Sequence, residues 1–97
     1  MQQIAAHLTD LKNKEGLAVN VELSPGGKRV FIHAEDGGET FYMERGGFPN
    51  EGEILIGKGR HPPTAETGEP MRVPNGHRDL LGRAEAIAEA EQFMRRF

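Results

Sequence analysis

The chain has 97 residues, a hydrophobic content of 36% and a formal net charge of −3. This length lies in the usual range for one domain and no break in composition divides the chain, so we expect a single domain over residues 1–97. Because there is no cysteine, disulfides and thiolate chemistry are excluded. The negative charge opposes non-specific nucleic-acid binding, which needs a basic face, but leaves room for a local basic patch.

The sequence pattern predicts neither a targeting signal nor a membrane-spanning helix. Residues 1–11 lack a basic leader followed by an apolar block. No apolar run approaches the roughly 20 residues that a membrane-spanning helix needs. We therefore expect a cytoplasmic protein without a membrane partner.

The first half of the chain predicts one helix and three strands. Ile4, Leu8 and Leu11 recur at helical spacing before Gly16, which predicts a helix over about 2–14. The hydrophobic period then changes to two. Alternating apolar residues predict strands at about 17–23, 29–34 and 40–44, joined by the turn sequences SPGG and DGG. These segments predict an antiparallel meander.

The second half gives weaker signals. Residues 54–56 (ILI) lie between glycines and suggest a short fourth strand. Residues 58–76 hold four of the six prolines and show no periodicity, which predicts a long irregular loop. A last helix would be capped by Asn75 or Asp79. Its apolar stripe would comprise Leu80, Ala84, Ile87, Met94 and Phe97.

The order of these segments defines the fold class. We predict an α+β domain with an antiparallel sheet of three or four strands, an N-terminal helix and a long C-terminal helix. Both helices should pack on one face of the sheet, because the strands offer one clean apolar face. A homodimer is kept as an alternative. Its interface would lie at an edge strand formed by residues 54–56 or at the end of the last helix.

Catalytic and metal-binding patterns are weak. The only serine, Ser24, lies in a turn, and no nucleophile motif surrounds it. The four histidines, His7, His33, His61 and His77, lack metal-ligand spacing, and His33 is predicted to be an exposed sheet residue. We predict no enzyme, no metal and no cofactor. A small enzyme built on His33 or His61 with distant carboxylates is kept as an alternative.

Acidic residues are concentrated in one segment. Between residues 35 and 53 there are six acids and one base. One interpretation is a solvated sheet face with solvated turns. The other is an acidic patch that docks on a basic protein surface, with Glu35, Asp36, Glu39 and Glu44 as its candidate contacts.

Two aromatic residues alternate onto the polar face of the predicted meander. Phe31 and Tyr42 would be exposed there or covered by the 58–76 loop. Exposed aromatic side chains on a polar face are typical binding anchors. Both residues therefore join the candidate partner-binding set.

The order helix, three strands, helix resembles the topology of double-stranded-RNA-binding domains. Those domains carry a lysine-rich start to the last helix, whereas residues 77–83 here read HRDLLGR. Nucleic-acid binding is therefore the alternative function. Its candidate residues are Lys58, Arg60, His61, Arg72, Arg78 and Arg83.

In size, charge and lack of catalytic motifs the chain is similar to small proteins of phages and mobile elements. These include anti-CRISPR proteins and other inhibitors of bacterial defence systems, which act by occupying a partner's surface. The resemblance implies a non-enzymatic protein-binding module. It would act by stoichiometric occlusion of a nucleic-acid-binding complex that presents a basic surface.

Overall fold

The computed structural model describes residues 1–47, 52–59 and 78–97. Its elements in chain order are α1 (Gln2–Glu15), β1 (Val19–Leu23), β2 (Arg29–Ala34), β3 (Thr40–Arg45), β4 (Glu53–Gly59), β5 (Arg78–Gly82) and α2 (Arg83–Met94). The predicted α+β class, with an antiparallel sheet between two terminal helices, is confirmed. Within these ranges neither helix is both long and apolar enough to cross a membrane.

The turns that the sequence predicted connect the first three strands. Gly27 and Gly37 adopt φ values of 70° and 77°, where a side chain would clash with the backbone. In the second turn the Asp36 carboxylate accepts a hydrogen bond of 2.8 Å from the Gly38 amide. This side-chain turn fixes the connection between β2 and β3.

The sheet has five strands rather than three or four. Its order is β1-β2-β3-β4-β5, and every neighbouring pair is antiparallel. Strand β4 lies between β3 and β5, so the expected edge strand at residues 54–56 is wrong. The first two residues of the loop predicted over 58–76, Lys58 and Gly59, belong to β4 instead, and residues 60–76 lie outside the described residues.

Strand β5 replaces the predicted start of the last helix. Leu80 and Leu81 pair with Leu55 and Ile54 of β4. Gly82 is extended, with φ −62° and ψ 158°, and it caps α2 in place of Asp79. The alternative cap, Asn75, lies outside the described residues. Because residues 79–82 of the predicted helix belong to β5, α2 has 12 residues and is shorter than α1, which has 14.

One apolar cluster forms the core. Alternate strand residues contribute one face of the sheet, which we call the core face: Val19, Val30, Ile32, Phe41, Met43, Ile54 and Ile56. Side chains of both helices belong to the same cluster: Ile4, Ala5, Leu8, Ala86, Ala90, Phe93 and Met94. Packing of both helices on the core face would produce such a shared cluster.

The opposite side of the sheet, which we call the second face, is also largely buried in its centre. Cross-strand register places Phe31 and Tyr42 there as direct partners, and His33 opposite Thr40. All four side chains are buried, with Phe31 6% and Tyr42 1% exposed. The expectation of an exposed His33 is therefore wrong.

A bidentate ion pair joins the ends of the two helices. The Arg95 guanidinium donates to both carboxylate oxygens of Glu15, over 3.2 and 3.1 Å. This hydrogen bonding lowers the pKa of Glu15 below its ordinary value of 4.5. Because the folded pKa lies below that of the unfolded chain, the pair stabilises the fold above that ordinary value and loses its effect as the pH falls through the lowered pKa.

Replacing Glu15 with glutamine should therefore flatten the acid end of the stability profile. Between pH 6 and pH 3 we expect the melting temperature of the wild type to fall further than that of Glu15→Gln. Thermal melts of both proteins at several pH values test this. Because the pair is exposed, salt should reduce the difference; equal falls in both proteins would show that the pair contributes nothing.

Candidate functional site

The end of the β2–β3 hairpin brings three of the predicted acidic residues together. Glu35 and Asp36 follow β2 directly and are exposed, while Glu39 precedes β3 and is half-buried. The backbone closes this end tightly, because the Ala34 amide donates to the Glu39 carbonyl over 2.9 Å and the Glu35 amide donates to the Ala18 carbonyl over 3.0 Å. The carboxylates are therefore mounted on a fixed backbone. We call Glu35, Asp36 and Glu39 the acidic hairpin end.

One of these three carboxylates is neutralised within the chain. The Arg96 guanidinium contacts both carboxylate oxygens of Glu39, over 2.9 and 3.0 Å. The same guanidinium lies 5.9 and 5.5 Å from the ring centroids of Phe93 and Phe97. Arg96 thus joins the C-terminal end of the chain to the hairpin, and Glu39 has a structural role.

The fourth predicted acid is separate from the acidic hairpin end. Glu44 lies near the far end of β3, opposite Arg29 of β2. The Arg29 Nε donates to a Glu44 carboxylate oxygen over 3.0 Å. This half-exposed cross-strand pair holds the two strands in register, and its charges compensate each other.

Aromatic rings occupy the centre of the second face. The rings of Phe31 and His33 are stacked at 6.0 Å with an interplanar angle of 8°, and Tyr42 lies 6.4 Å from Phe31. Tyr42 also covers Gly57, its partner on β4. The sequence placed Phe31 and Tyr42 on the correct face. In the folded chain, however, neither ring is accessible as a binding anchor.

His33 lies on the face that alternation predicted, but it is buried there rather than exposed. Its Nδ1 lies 3.1 Å from the Thr40 hydroxyl, and its Nε2 lies 3.5 Å from a Glu22 carboxylate oxygen. Alternation gives the face, since His33 has the same parity as Phe31 and lies opposite Thr40 in the hairpin, but it does not give the burial of that face. Glu22 belongs to β1 and reaches His33 from the neighbouring row.

Of the six basic residues proposed for nucleic-acid contact, only Lys58 and Arg83 have described side chains, and these two lie apart. Lys58 pairs with Glu89 over 3.5 Å, and its ammonium lies 5.9 Å from the Phe41 ring centroid. Arg83 is exposed at the start of α2, next to the residue that pairs with Glu53. The two residues are thus at opposite ends of the β4–β5 pair. Lys58 is roughly 16 Å along β4 from Glu53 at the strand rise per residue, and Arg83 follows the partner of Glu53.

Four further residues belong to the candidate nucleic-acid-binding set. Arg78 begins β5. Arg60, His61 and Arg72 lie outside the described residues. In the described ranges no three potential metal ligands among His, Asp and Glu come together.

Comparison with protein-family models, with curated protein sequences and with solved structures finds no match.

Proposed function

We propose that the chain is a small protein-binding module that docks on a basic partner through its acidic hairpin end. The observation that supports this is the charge state of that end. Glu35 and Asp36 are exposed, and no cation of the described structure lies within ion-pair distance of either. By contrast, the carboxylates of Glu15, Glu39, Glu44, Glu89 and Glu91 each have a basic partner within the chain.

Rigidity adds to the effect of the two charges. The Asp36 side chain is held by its hydrogen bond to the Gly38 amide, and the turn around Gly37 is fixed by its backbone conformation. A carboxylate that is already ordered loses less conformational entropy when it pairs with a lysine or arginine of a partner. Exposed charges at the end of a hairpin also steer a basic partner during diffusional encounter.

The proposed docking surface differs in two respects from the set that the sequence suggested. Glu44 is left out because it lies at the other end of β3 and pairs with Arg29. Phe31 and Tyr42 are left out because their rings are buried in the second face. Their role is to hold β2 and β3 together beneath the tip. The partner class is retained: a basic, nucleic-acid-binding surface, which the module would cover stoichiometrically so that nucleic acid is excluded.

A charge-neutral double variant tests this proposal. In Glu35→Gln/Asp36→Asn the amide oxygen of asparagine can still accept the Gly38 hydrogen bond, so the turn is retained while two charges are lost. The matched control is Asp10→Asn/Glu53→Gln, which removes two exposed charges from α1 and from the opposite end of the sheet. The partner is first captured with the tagged wild-type chain from host lysate, with and without nuclease treatment, and identified.

We expect the hairpin variant to associate with that partner about three- to tenfold more slowly at low salt, with a weaker dependence on salt. The control variant should stay within about twofold of the wild type. Equal losses in both variants would show a general charge effect and contradict a docking role for the hairpin. Capture of nuclease-sensitive material alone would favour nucleic-acid binding instead.

A further inference from the structure

The chain's own Arg96 shows which cation the acidic hairpin end accepts. Its guanidinium approaches the Glu39 carboxylate side-on, with Nη1 2.9 Å from one oxygen and Nη2 3.0 Å from the other. Two parallel contacts of this kind match the planar fork of a guanidinium, whereas the ammonium of lysine acts as a single point charge. The geometry at Glu39 is therefore that of an arginine contact.

Two aromatic rings lie beside the same guanidinium. The Cζ atom of Arg96 is 5.5 Å from the ring centroid of Phe97 and 5.9 Å from that of Phe93. The two rings are 5.2 Å apart, and Phe93 is buried, with its ring centroid 5.5 Å from that of Phe41. Contacts to the core therefore hold Phe93 in place. A delocalised, weakly hydrated guanidinium suits a position beside aromatic rings better than an ammonium does.

Water reaches this contact, so the cation that occupies it is exchangeable. Of the side-chain surface, 57% is exposed in Arg96 and 37% in Glu39. Exposed ion pairs are weak, because solvent screens the charges and both side chains lose freedom when they pair. A second guanidinium that offers the same two hydrogen bonds therefore competes with Arg96 without breaking a buried contact.

We propose that the position held by Arg96 is an arginine-binding site, which an arginine of a docked protein partner takes over. The site consists of Glu39, Phe93 and Phe97, and we call these residues the arginine site. The inference rests on the proposed function and deepens it, since it names arginine as a cation of the partner surface. Once Arg96 is displaced, Glu39 joins the two exposed carboxylates of the acidic hairpin end, so that three carboxylates face the partner.

The neighbouring Arg95 provides a comparison within the same chain. Its guanidinium also donates to both oxygens of a carboxylate, Glu15, over 3.2 and 3.1 Å, and its side chain is 49% exposed. In the described part of the chain, however, no aromatic ring lies against this guanidinium. Replacing either arginine with alanine removes one positive charge and frees one glutamate, but only Arg96→Ala empties a site that includes aromatic rings.

Binding of hexaarginine and hexalysine peptides at low ionic strength tests the arginine site. Removing the internal competitor in Arg96→Ala should tighten the binding of hexaarginine about two- to sixfold, because the site is then open in every molecule. Hexalysine should gain less, so the ratio of the two dissociation constants should favour hexaarginine more strongly. In the control Arg95→Ala this ratio should stay close to that of the wild type. Equal ratios in both variants would overturn the arginine site.

A second substitution assigns the gain to particular side chains. Adding Glu39→Gln to Arg96→Ala should abolish the increased preference for hexaarginine, because the bidentate contact is lost. Adding Phe97→Leu instead should reduce it in part, because the carboxylate remains and one ring is lost. Circular dichroism and thermal melts check that each variant folds. A preference that stays raised without the Glu39 carboxylate would locate the gain elsewhere and overturn the proposal.

The double variant Glu35→Gln/Asp36→Asn separates this inference from the proposed function. If it weakens the binding of both peptides while Arg96→Ala leaves their ratio unchanged, the acidic hairpin end docks basic chains and the arginine site is wrong. If the ratio responds to Arg96 and Glu39 while the double variant binds both peptides as the wild type does, the arginine site stands. Docking through the two exposed carboxylates is then wrong. Absence of hexaarginine binding to Arg96→Ala would overturn both.

Discussion

Replacement of Phe41 with alanine should lower the free energy of unfolding by about 4 kcal/mol. Phe41 is fully buried on the core face and lies 5.5 Å from the ring of Phe93 in α2. Removing the ring deletes the aromatic contact that joins the central strand β3 to α2, and it leaves a cavity that the surrounding backbone can close only in part. Chemical denaturation measures the loss.

A domain of this size has a small margin of stability, so the alanine variant is expected to populate unfolded chain at room temperature. Phe41→Leu should lose about 1 kcal/mol, and it keeps the comparison measurable if the alanine variant does not fold. Leu80→Ala is the control, because Leu80 is exposed and its loss should cost below about 1 kcal/mol in the monomer. Similar losses at Phe41 and Leu80 would contradict the assigned core.

Replacement of Gly57 with alanine should cost about 3 kcal/mol, although it adds only one methyl group. The ring of Tyr42 lies against Gly57, and an added Cβ would meet the Tyr42 Cζ at 2.6 Å and its hydroxyl oxygen at 2.7 Å. These distances are shorter than van der Waals contact. Because Tyr42 is buried, its ring cannot move aside without disturbing Phe31 and the rest of the second face.

Denaturant unfolding of Gly57→Ala, with Gly52→Ala as the control, measures this effect. Among the described residues, chain neighbours apart, no atom lies within 4 Å of a Cβ added at Gly52, so its replacement should change stability little. In a Tyr42→Leu background the cost of Gly57→Ala should shrink, because the ring that causes the clash is gone. An undiminished cost would mean that the clash with Tyr42 is not its cause.

Local rules were sufficient for the first half of the fold. The helix stop at Gly16 and the turn at Asp36–Gly38 depend on the conformational freedom of glycine and on contacts within a few residues. Alternation of apolar residues assigned β2 and β3 to a meander and gave the parity of every side chain in them. These features involve short separations along the chain, so they can be derived from the order of residues.

Strand β5 shows where that reasoning fails. Leu80, Ala84 and Ile87 fit a helical stripe, and Gly82 is the local signal against a helix that starts at Asp79. Pairing with β4 gives the backbone of residues 78–82 hydrogen bonds that extend the sheet, and Leu81 packs against the core. Tertiary pairing therefore outweighs helical periodicity over one short segment.

The candidate site divides in the same way. The concentration of acids between residues 35 and 53 can be counted directly in the sequence. Which of those charges are available for a partner depends on pairs such as Glu39 with Arg96, which are 57 residues apart. Glu39 is neutralised because the chain after α2 places Arg96 against it. In the described structure no basic side chain is placed against Glu35 in this way.

Composition and local pattern thus establish the cysteine-free α+β chain, its first helix, its three-stranded meander and its acidic segment, because each follows from contacts between near neighbours. The fifth strand, the buried second face around Tyr42 and the neutralisation of Glu39 arise from contacts between distant segments. Such contacts depend on how the sheet and helices are arranged in space, which local periodicity does not encode.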